Sequence, residues 1–159
     1  MAIMRDIAEL HEPEALARLV SYRIRLVQIA AYKTFEARVS GHGSAPRYYG
    51  MLKLIEANPG VPQARLAEAI FLDRSSLVPI LQELEREGWL ERRAAPQDKR
   101  VRRVFLTPEG AGWLVALERD VEEHEARLTA GLSAEDLDTL HGLLLRLDDN
   151  LRDVQAGRV

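Results

Sequence analysis

Basic side chains are concentrated in one short stretch of this sequence, RRAAPQDKRVRRVFLT, which covers residues 92–107. The first twelve residues of the stretch hold six cations and a single acid, Asp98, so they carry a charge of +5. The chain has a formal net charge of −3, which leaves −8 for all its other residues. Such a local patch can bind a polyanion through charge-assisted hydrogen bonds to phosphate oxygens. The six cations are Arg92, Arg93, Lys99, Arg100, Arg102 and Arg103.

Other residue types that support catalysis or metal binding do not form recognisable sets. The four histidines, His11, His42, His124 and His141, include no pair at i, i+4 spacing, and the chain has no cysteine. We therefore expect no metal site, and we interpret His124 as part of an apolar helix face. No Ser/His/Asp order, glycine-rich phosphate loop or isolated carboxylate pair stands out. The sequence predicts neither an enzyme with catalytic residues nor a bound cofactor.

Length and composition predict one globular domain. The chain has 159 residues, of which 47% are hydrophobic and 30% charged, enough to bury a substantial core. No apolar run approaches the roughly 18 residues of a membrane span. Carboxylates occupy the N-terminal segment where a signal peptide needs an apolar stretch, so we expect a cytoplasmic protein. The absence of cysteine excludes disulfides and thiolate redox sensing.

Hydrophobic spacing predicts the elements before the basic stretch. Apolar residues at 3-4 spacing, without Gly or Pro, predict a long first helix over residues 14–39. The GHGS segment ends it, and Ser44 is the expected N-cap of a second helix through Asn58. After the NPG turn, Pro62 fits the first turn of a short third helix, QARLAEAI.

A fourth helix follows after only three residues, 71–73, which is the spacing of a helix-turn-helix. It should run to Arg86 and be closed by Gly88. The possible N-caps are Asp73, Ser75 and Ser76. Because proline is tolerated best in the first turn of a helix, Pro79 favours one of the serines as the cap, or a loose first turn.

Beyond Gly88 the pattern changes to that of strands. WLERRA and VRRVFLT flank the turn segment APQDKR, which predicts a β-hairpin. Thr107 and Pro108 then predict the start of a fifth helix, and Ser133 with Asp136 the start of a last one. Both helices carry apolar seams at 3-4 spacing, and with the first helix these should pack together and against a partner subunit. The seams are Leu114, Leu117, Val121, His124 and Leu128, and Leu137, Leu140, Leu144, Leu147 and Leu151.

The segment LAEAIFLDRSSLVPILQELEREGWLERRAAPQDKRVRRVFLTPEG resembles the DNA-binding core of the MarR family of bacterial transcription regulators. The motifs L-E-x-x-G-x-L/V-x-R, D-x-R and L-T-x-x-G stand at the distances found in the family, and the flanking helices agree, including the ending GLSAEDLDTLHGLLLRLDDNL. The SSLVPIL start of the fourth helix is most similar to the branch that senses organic hydroperoxides. That branch relies on a reactive cysteine, so peroxide sensing is not carried over.

The resemblance implies a mainly α (α+β) winged helix-turn-helix fold and a homodimer. Residues 1–44 would form an N-terminal dimerisation helix, 45–107 the DNA-binding region, and 108–159 the C-terminal dimerisation helices, all in a single compact domain. The basic hairpin would be the wing. In the family, the wing-tip Asp pairs with the Arg two residues later and points it into the minor groove; here these are Asp98 and Arg100. A narrow groove concentrates negative potential and favours an inserted guanidinium.

The expected partner is palindromic double-stranded DNA, and the expected function is a ligand-responsive regulator, specifically a repressor. The alternative function is a winged-helix module whose basic wing binds an acidic protein. The basic hairpin could also be a solvated, charged surface that binds no partner. The residues of the fourth helix predicted to lie in the core are Leu77, Ile80, Leu81 and Leu84. Weaker candidates for contact with the DNA backbone are Arg65 and Lys53. The predicted DNA-binding residues are Arg74, Ser75, Ser76, Gln82, Asp98, Lys99, Arg100 and Arg102.

A second set of residues combines arginine with aromatic rings. MarR-like dimers commonly bind anionic aromatic compounds between the dimer helices and the winged helix, and a guanidinium with flat apolar walls suits such a ligand. The effector could be a free acid, a phenol or a coenzyme A thioester. Alternatively, these aromatics are core and Arg25 makes an intersubunit salt bridge. The predicted ligand-binding residues are Arg25, Tyr22, Tyr32, Phe35, Arg47, Tyr48 and Trp113.

Overall fold

The computed structural model describes residues 10–39, 41–155 and 157, and within them the chain is mostly helical with one three-stranded antiparallel sheet. The helix-turn-helix followed by a hairpin confirms the predicted mainly α, winged-helix fold class. The elements are α1 Glu14–Ala17, α2 Val20–Glu36, a 3-10 turn Ala45–Tyr48, α3 Tyr49–Ala57, β1 Val61–Pro62, α4 Gln63–Ala69, α5 Arg74–Arg86, β2 Leu90–Ala94, β3 Arg102–Leu106, α6 Pro108–Leu128 and α7 Ala134–Gln155.

The prediction of one unbroken first helix was wrong, because the chain leaves helical geometry at Leu19 (φ −76°, ψ 115°). A side chain replaces the helical bond lost at this break. Arg23 Nε donates to the carbonyl of Ala17 at 3.1 Å, and Arg23 Nη2 donates to the buried carboxylate of Glu12 at 2.8 Å. These contacts stabilise the end of α1, and α2 then ends at Glu36 rather than at residue 39.

The second predicted helix is also divided. Residues 45–48 form a 3-10 turn before α3, and Ser44 makes no side-chain capping bond to it. The Ser44 hydroxyl instead donates to the Glu87 carboxylate at 3.1 Å. The loop before the turn is therefore held by a contact with the end of α5, which the sequence pattern did not indicate.

Asp73, not a serine, caps α5, so the preference for a later cap was wrong. The Asp73 carboxylate accepts the Ser76 N–H at 2.7 Å and the hydroxyls of Ser75 and Ser76 at 2.6 and 3.1 Å. Pro79 consequently lies inside the helix, where it has no N–H to donate to the Ser75 carbonyl. The three bonds to Asp73 hold the first turn in spite of that loss.

The turn between α4 and α5 has no glycine, and Phe71 takes the left-handed conformation there (φ 54°). Such a backbone costs roughly 1–2 kcal/mol for a residue with a Cβ. At the other end of α5, Gly88 (φ 87°) closes the helix as predicted. The helix-turn-helix therefore stores some strain in its turn and none at its exit.

The sheet has the strand order β1-β3-β2. The predicted hairpin is confirmed, with Arg92 opposite Val104 in the β2–β3 register. The two-residue strand β1 was not predicted; Val61 lies opposite Val104 on the other edge of β3. Pro62 belongs to this strand and precedes α4 as its N-cap residue instead of lying in the first turn.

The chain divides into two compact units, residues 1–121 and 122–159. In the first unit, Leu77, Leu81 and Leu84 of α5 are fully buried, as predicted, and Ile80 packs partly buried against the core. The core of this unit also includes Leu52, Ile55, Leu66, Trp89, Leu90, Val104, Leu114 and Leu117. The division of the chain into dimerisation and DNA-binding regions stays a prediction.

The starts of the last two helices are confirmed by their capping bonds. Thr107 Oγ1 accepts the Gly110 N–H at 2.8 Å, and Ser133 and Asp136 exchange reciprocal bonds between N–H groups and side-chain oxygens. In the second unit, α7 exposes much of its leucine seam, with Leu140 at 43% and Leu144 at 42% exposed. No helix in the described part of the chain is long and apolar enough to cross a bilayer.

Candidate nucleic-acid interface

Helix α5 presents polar side chains on the side opposite its buried leucines. The four predicted contact residues of this helix, Arg74, Ser75, Ser76 and Gln82, are all exposed. Both serine hydroxyls donate to the Asp73 carboxylate. These bonds lower the pKa of Asp73, and the bond from Ser75 has the largest effect. In this arrangement each hydroxyl keeps lone pairs that can accept bonds from base amino groups. This geometry favours base contacts for the two serines.

The wing tip is a compact turn organised by Asp98. Its main-chain carbonyl accepts the Val101 N–H at 3.0 Å, and its carboxylate accepts the Arg100 N–H at 2.9 Å. The side-chain ion pair that the resemblance implied between Asp98 and Arg100 is not formed among the described residues. A short carboxylate side chain bonds readily to a backbone N–H two residues on, so it orders the turn instead of the guanidinium. Arg100 and Lys99 are both exposed at this tip.

Helix α5 and the wing share one cleft of about 250 Å³. Arg74 enters it from the first residue of α5, and Arg100 and Arg102 enter it from the wing. None of these three arginines forms a salt bridge within the described part of the chain. Three guanidinium groups that form no salt bridge therefore lie where the two elements meet, and Arg102 also interacts electrostatically with Glu85. The remaining lining residues are Pro62, Gln63, Ala64, Leu77, Val78 and Val101.

Other cations of the basic stretch are used inside the protein. Arg92 Nη2 lies 2.5 Å from the Glu85 carboxylate, and this contact lowers the pKa of Glu85. Arg93 pairs with Glu91 and lies over the Phe105 ring, 4.8 Å from its centroid. Arg103 donates to the Gly60 carbonyl at 3.1 Å. Half of the six cations thus stabilise the hairpin and its base, which counting charges along the sequence could not reveal.

Lys53 and Arg65, the two weaker candidates for contact with the DNA backbone, also pair with carboxylates of the protein itself. Lys53 Nζ lies 2.5 Å from Glu56 and 3.2 Å from Glu118, and these carboxylates raise its pKa above the ordinary value. Arg65 pairs with Glu68 at 2.9 Å. Both are consequently less available to phosphates than the arginines of the shared cleft.

Three of the seven residues predicted to bind a ligand lie together. Tyr32, Arg47 and Tyr48 line a cleft of about 260 Å³, together with Glu36 and Glu83. Arg47 Nε donates to the Tyr32 hydroxyl at 3.1 Å, and that hydroxyl donates to Glu36. Burial, followed by the bond to Glu36, raises the pKa of Tyr32 above 10.0, so the phenol stays protonated at neutral pH.

The other four predicted ligand residues do not line this cleft. Phe35 is buried in the core, which is the alternative that the sequence left open. Tyr22 is half-buried beside Arg23, and Arg25 is exposed on α2. Trp113 lines a different cleft.

Comparison with known proteins identifies the lineage of this winged helix. The sequence pattern of the MarR family matches residues 42–101. A relative from Thauera aromatica, described as a putative transcriptional regulatory protein for the hcr operon, is 37% identical over 143 residues, which is 89% of this chain and 86% of that protein. The chain belongs to the MarR family.

Solved MarR-like structures match almost the whole chain. The transcriptional repressor CouR, bound to a 23-mer DNA duplex, is 28% identical with a TM-score of 0.79, covering 88% of this chain and 99% of the other. The PcaV regulator from Streptomyces coelicolor, in complex with its natural ligand, is also 28% identical, with a TM-score of 0.77 and coverage of 88% and 98%. The resemblance seen in the sequence is thus confirmed, and the protein is a MarR-family transcription regulator.

Proposed function

We propose that this MarR-family regulator is a homodimeric repressor that binds palindromic double-stranded DNA and is released by a small anionic aromatic effector. The observation that carries the proposal is the cleft shared by Arg74, Arg100 and Arg102, whose guanidinium groups form no salt bridge among the described residues. A repressor of 28% identity that is bound to a DNA duplex supports this role.

The exposed face of α5 suits the major groove, which is wide enough to admit a helix. Ser75 and Ser76 would accept bonds from base amino groups, and Gln82 could bond to a base edge. Lys99 and Arg100, at the tip of the wing, would contact the adjacent backbone or minor groove. Helix and wing would then bind the same half-site from two directions.

Steep salt dependence is the direct test of the DNA-binding role. With roughly three phosphate contacts per subunit, the logarithm of the binding constant should fall with the logarithm of salt concentration with a slope of about −5. Fluorescence anisotropy with duplex DNA between about 50 and 300 mM salt would measure it. Lys99→Ala should make the slope shallower, whereas Arg18→Ala, which removes an exposed arginine outside the wing, should not. A flat dependence would contradict the proposal and favour a module that binds an acidic protein.

The cleft of Tyr32, Arg47 and Tyr48 is the proposed effector site. Arg47 is the one cation among the residues that line it, beside the carboxylates of Glu36 and Glu83, and two phenol rings provide flat walls. The ligand complex of the similar PcaV regulator supports a ligand-responsive mechanism. Titration calorimetry with 4-hydroxybenzoate as probe should show binding that Arg47→Ala weakens about tenfold, the loss expected for one charge-assisted contact. Equal binding by the wild type and the variant would exclude this site.

A further inference from the structure

A separate cleft of about 360 Å³ opens beside the C-terminal end of α5, and both tryptophans of the chain line it. Trp89 forms a buried wall, and Trp113, 42% exposed, stands at the mouth. The two rings meet edge to face, with centroids 5.3 Å apart, and the His42 ring lies 6.2 Å from Trp89. We call this site the tryptophan cleft. It is lined by Gly41, His42, Gly43, Glu87, Trp89 and Trp113.

The charge around the tryptophan cleft is acidic. The Glu87 carboxylate is part of its lining and accepts bonds from the Ser44 N–H and hydroxyl, both at 3.1 Å to one oxygen. A carboxylate has about four acceptor sites, so these bonds leave capacity for a ligand. Asp120 lies next to the lining, 3.5 Å from His42 Nε2. No Lys or Arg occurs among the described residues that line the cleft.

Aromatic faces combined with a carboxylate recognise organic cations, because the ring faces carry negative charge density and the carboxylate adds a full charge. We propose that the tryptophan cleft binds a small organic cation bearing an alkylated ammonium group. The proposed effector cleft is lined by Arg47 as well as by the carboxylates of Glu36 and Glu83, whereas the residues that line the tryptophan cleft include no arginine or lysine. Gly43 belongs to both linings, so the loop at residues 41–44 separates the two clefts.

The wall between the clefts is closely packed. Gly43 has φ 58°, and a Cβ placed there would lie 2.6 Å from Glu87 Oε2. The loop backbone is therefore seated directly against the carboxylate. Glu87 is also the C-cap residue of α5, so an occupant of the tryptophan cleft would contact the end of this helix.

Binding of quaternary ammonium probes to the full chain tests the proposal without DNA. Titration calorimetry with tetramethylammonium, choline and benzyltrimethylammonium should give saturable binding for at least one cation. Intrinsic fluorescence should change in parallel, because both tryptophans line the site. The uncharged isostere of choline, 3,3-dimethylbutan-1-ol, should bind about tenfold more weakly than choline or not at all.

Matched variants locate the site. Trp113→Ala should weaken cation binding at least about fivefold, Trp113→Phe should restore most of it, and Glu87→Gln should reduce the preference for the cation over the alcohol. Val115→Ala, which trims an exposed apolar residue of α6 outside the cleft, should bind like the wild type. Circular dichroism would confirm that each variant is folded. Absence of saturable binding for all three cations, equal binding of choline and the alcohol, or unchanged binding by Trp113→Ala would overturn the proposal.

Discussion

Gly110 lies where the packing of the chain leaves no room for a side chain. It lies in the first turn of α6, and a Cβ there would lie 2.0 Å from the main-chain oxygen of Trp89. We predict that Gly110→Ala lowers the free energy of unfolding by about 2–4 kcal/mol, because a main-chain atom cannot yield as a side chain does. Gly112→Ala in the same helix meets nothing within 4 Å and should stabilise by roughly 0.5–1 kcal/mol. If both variants changed the free energy of unfolding in the same direction in urea denaturation, this account of the contact between α6 and the Trp89 main chain would be contradicted.

The ionisation of Glu85 makes the stability of the fold depend on pH. Its contact with Arg92 lowers its pKa below the ordinary value of 4.5. A lowered folded-state pKa stabilises the fold above the ordinary pKa, and this contribution is lost as the pH falls through the lowered value. Glu85→Gln should therefore cost about 1 kcal/mol at pH 7, a modest figure because the carboxylate is partly exposed and screened. The difference from the wild type should vanish in urea titrations well below pH 4; a constant difference would show that charge is not involved.

The hydrogen bonds within the wing change the role that was expected for Asp98. Because the Asp98 carboxylate bonds to the Arg100 N–H, its function is to order the turn. An asparagine side chain can accept the same bond, whereas alanine cannot. We predict that Asp98→Ala weakens DNA binding by up to about 1–2 kcal/mol, the cost of ordering a loosened turn. Asp98→Asn should bind DNA at least as tightly as the wild type. If both variants weakened binding equally, the charge of Asp98 would be orienting Arg100 after all.

Elements with local signals were predictable from the sequence. The hairpin, Gly88 at the end of α5, and the caps of α6 and α7 depend on residues within a few positions of each other. The break at Leu19 and the strand β1 involve contacts that lie outside the regular helix and turn patterns. Arg23 reaches back to Glu12 across the break, and Val61 pairs with Val104. Hydrophobic spacing carries no information about such contacts.

The candidate site was predictable to a similar extent. The exposed polar face of α5 follows from helical periodicity, since its opposite face needed apolar residues. The sequence did not show which cations remain available, because Arg92 and Arg103 contact Glu85 and Gly60, which lie outside the hairpin. The effector set was grouped by residue type, and the fold brought only Tyr32, Arg47 and Tyr48 to one cleft.

At the scale of the whole molecule, the exposed seam of α7 predicts a dimer. Leu140 and Leu144 are both more than 40% exposed in the single chain, at 43% and 42%. Replacing both by Asp would place charge in the subunit interface at a cost of several kcal/mol. Light scattering at micromolar concentration should show a dimer for the wild type and a monomer for the double variant. Arg146→Asp changes the net charge by the same amount on an exposed position outside the seam and should leave the dimer intact. A well-folded wild-type monomer would refute the dimeric assembly.

The central claim is that helix α5 and the wing together bind a palindromic operator. The most direct measurement is an anisotropy titration, at fixed salt, of a palindromic duplex selected from a random library, with half-site centres about 10 base pairs apart. Arg100→Ala should weaken binding by roughly 1–3 kcal/mol per half-site, the range for one lost groove contact. Arg18→Ala, an exposed arginine distant in sequence from the wing, should match the wild type. Equal affinities for the wild type and Arg100→Ala would contradict the claim.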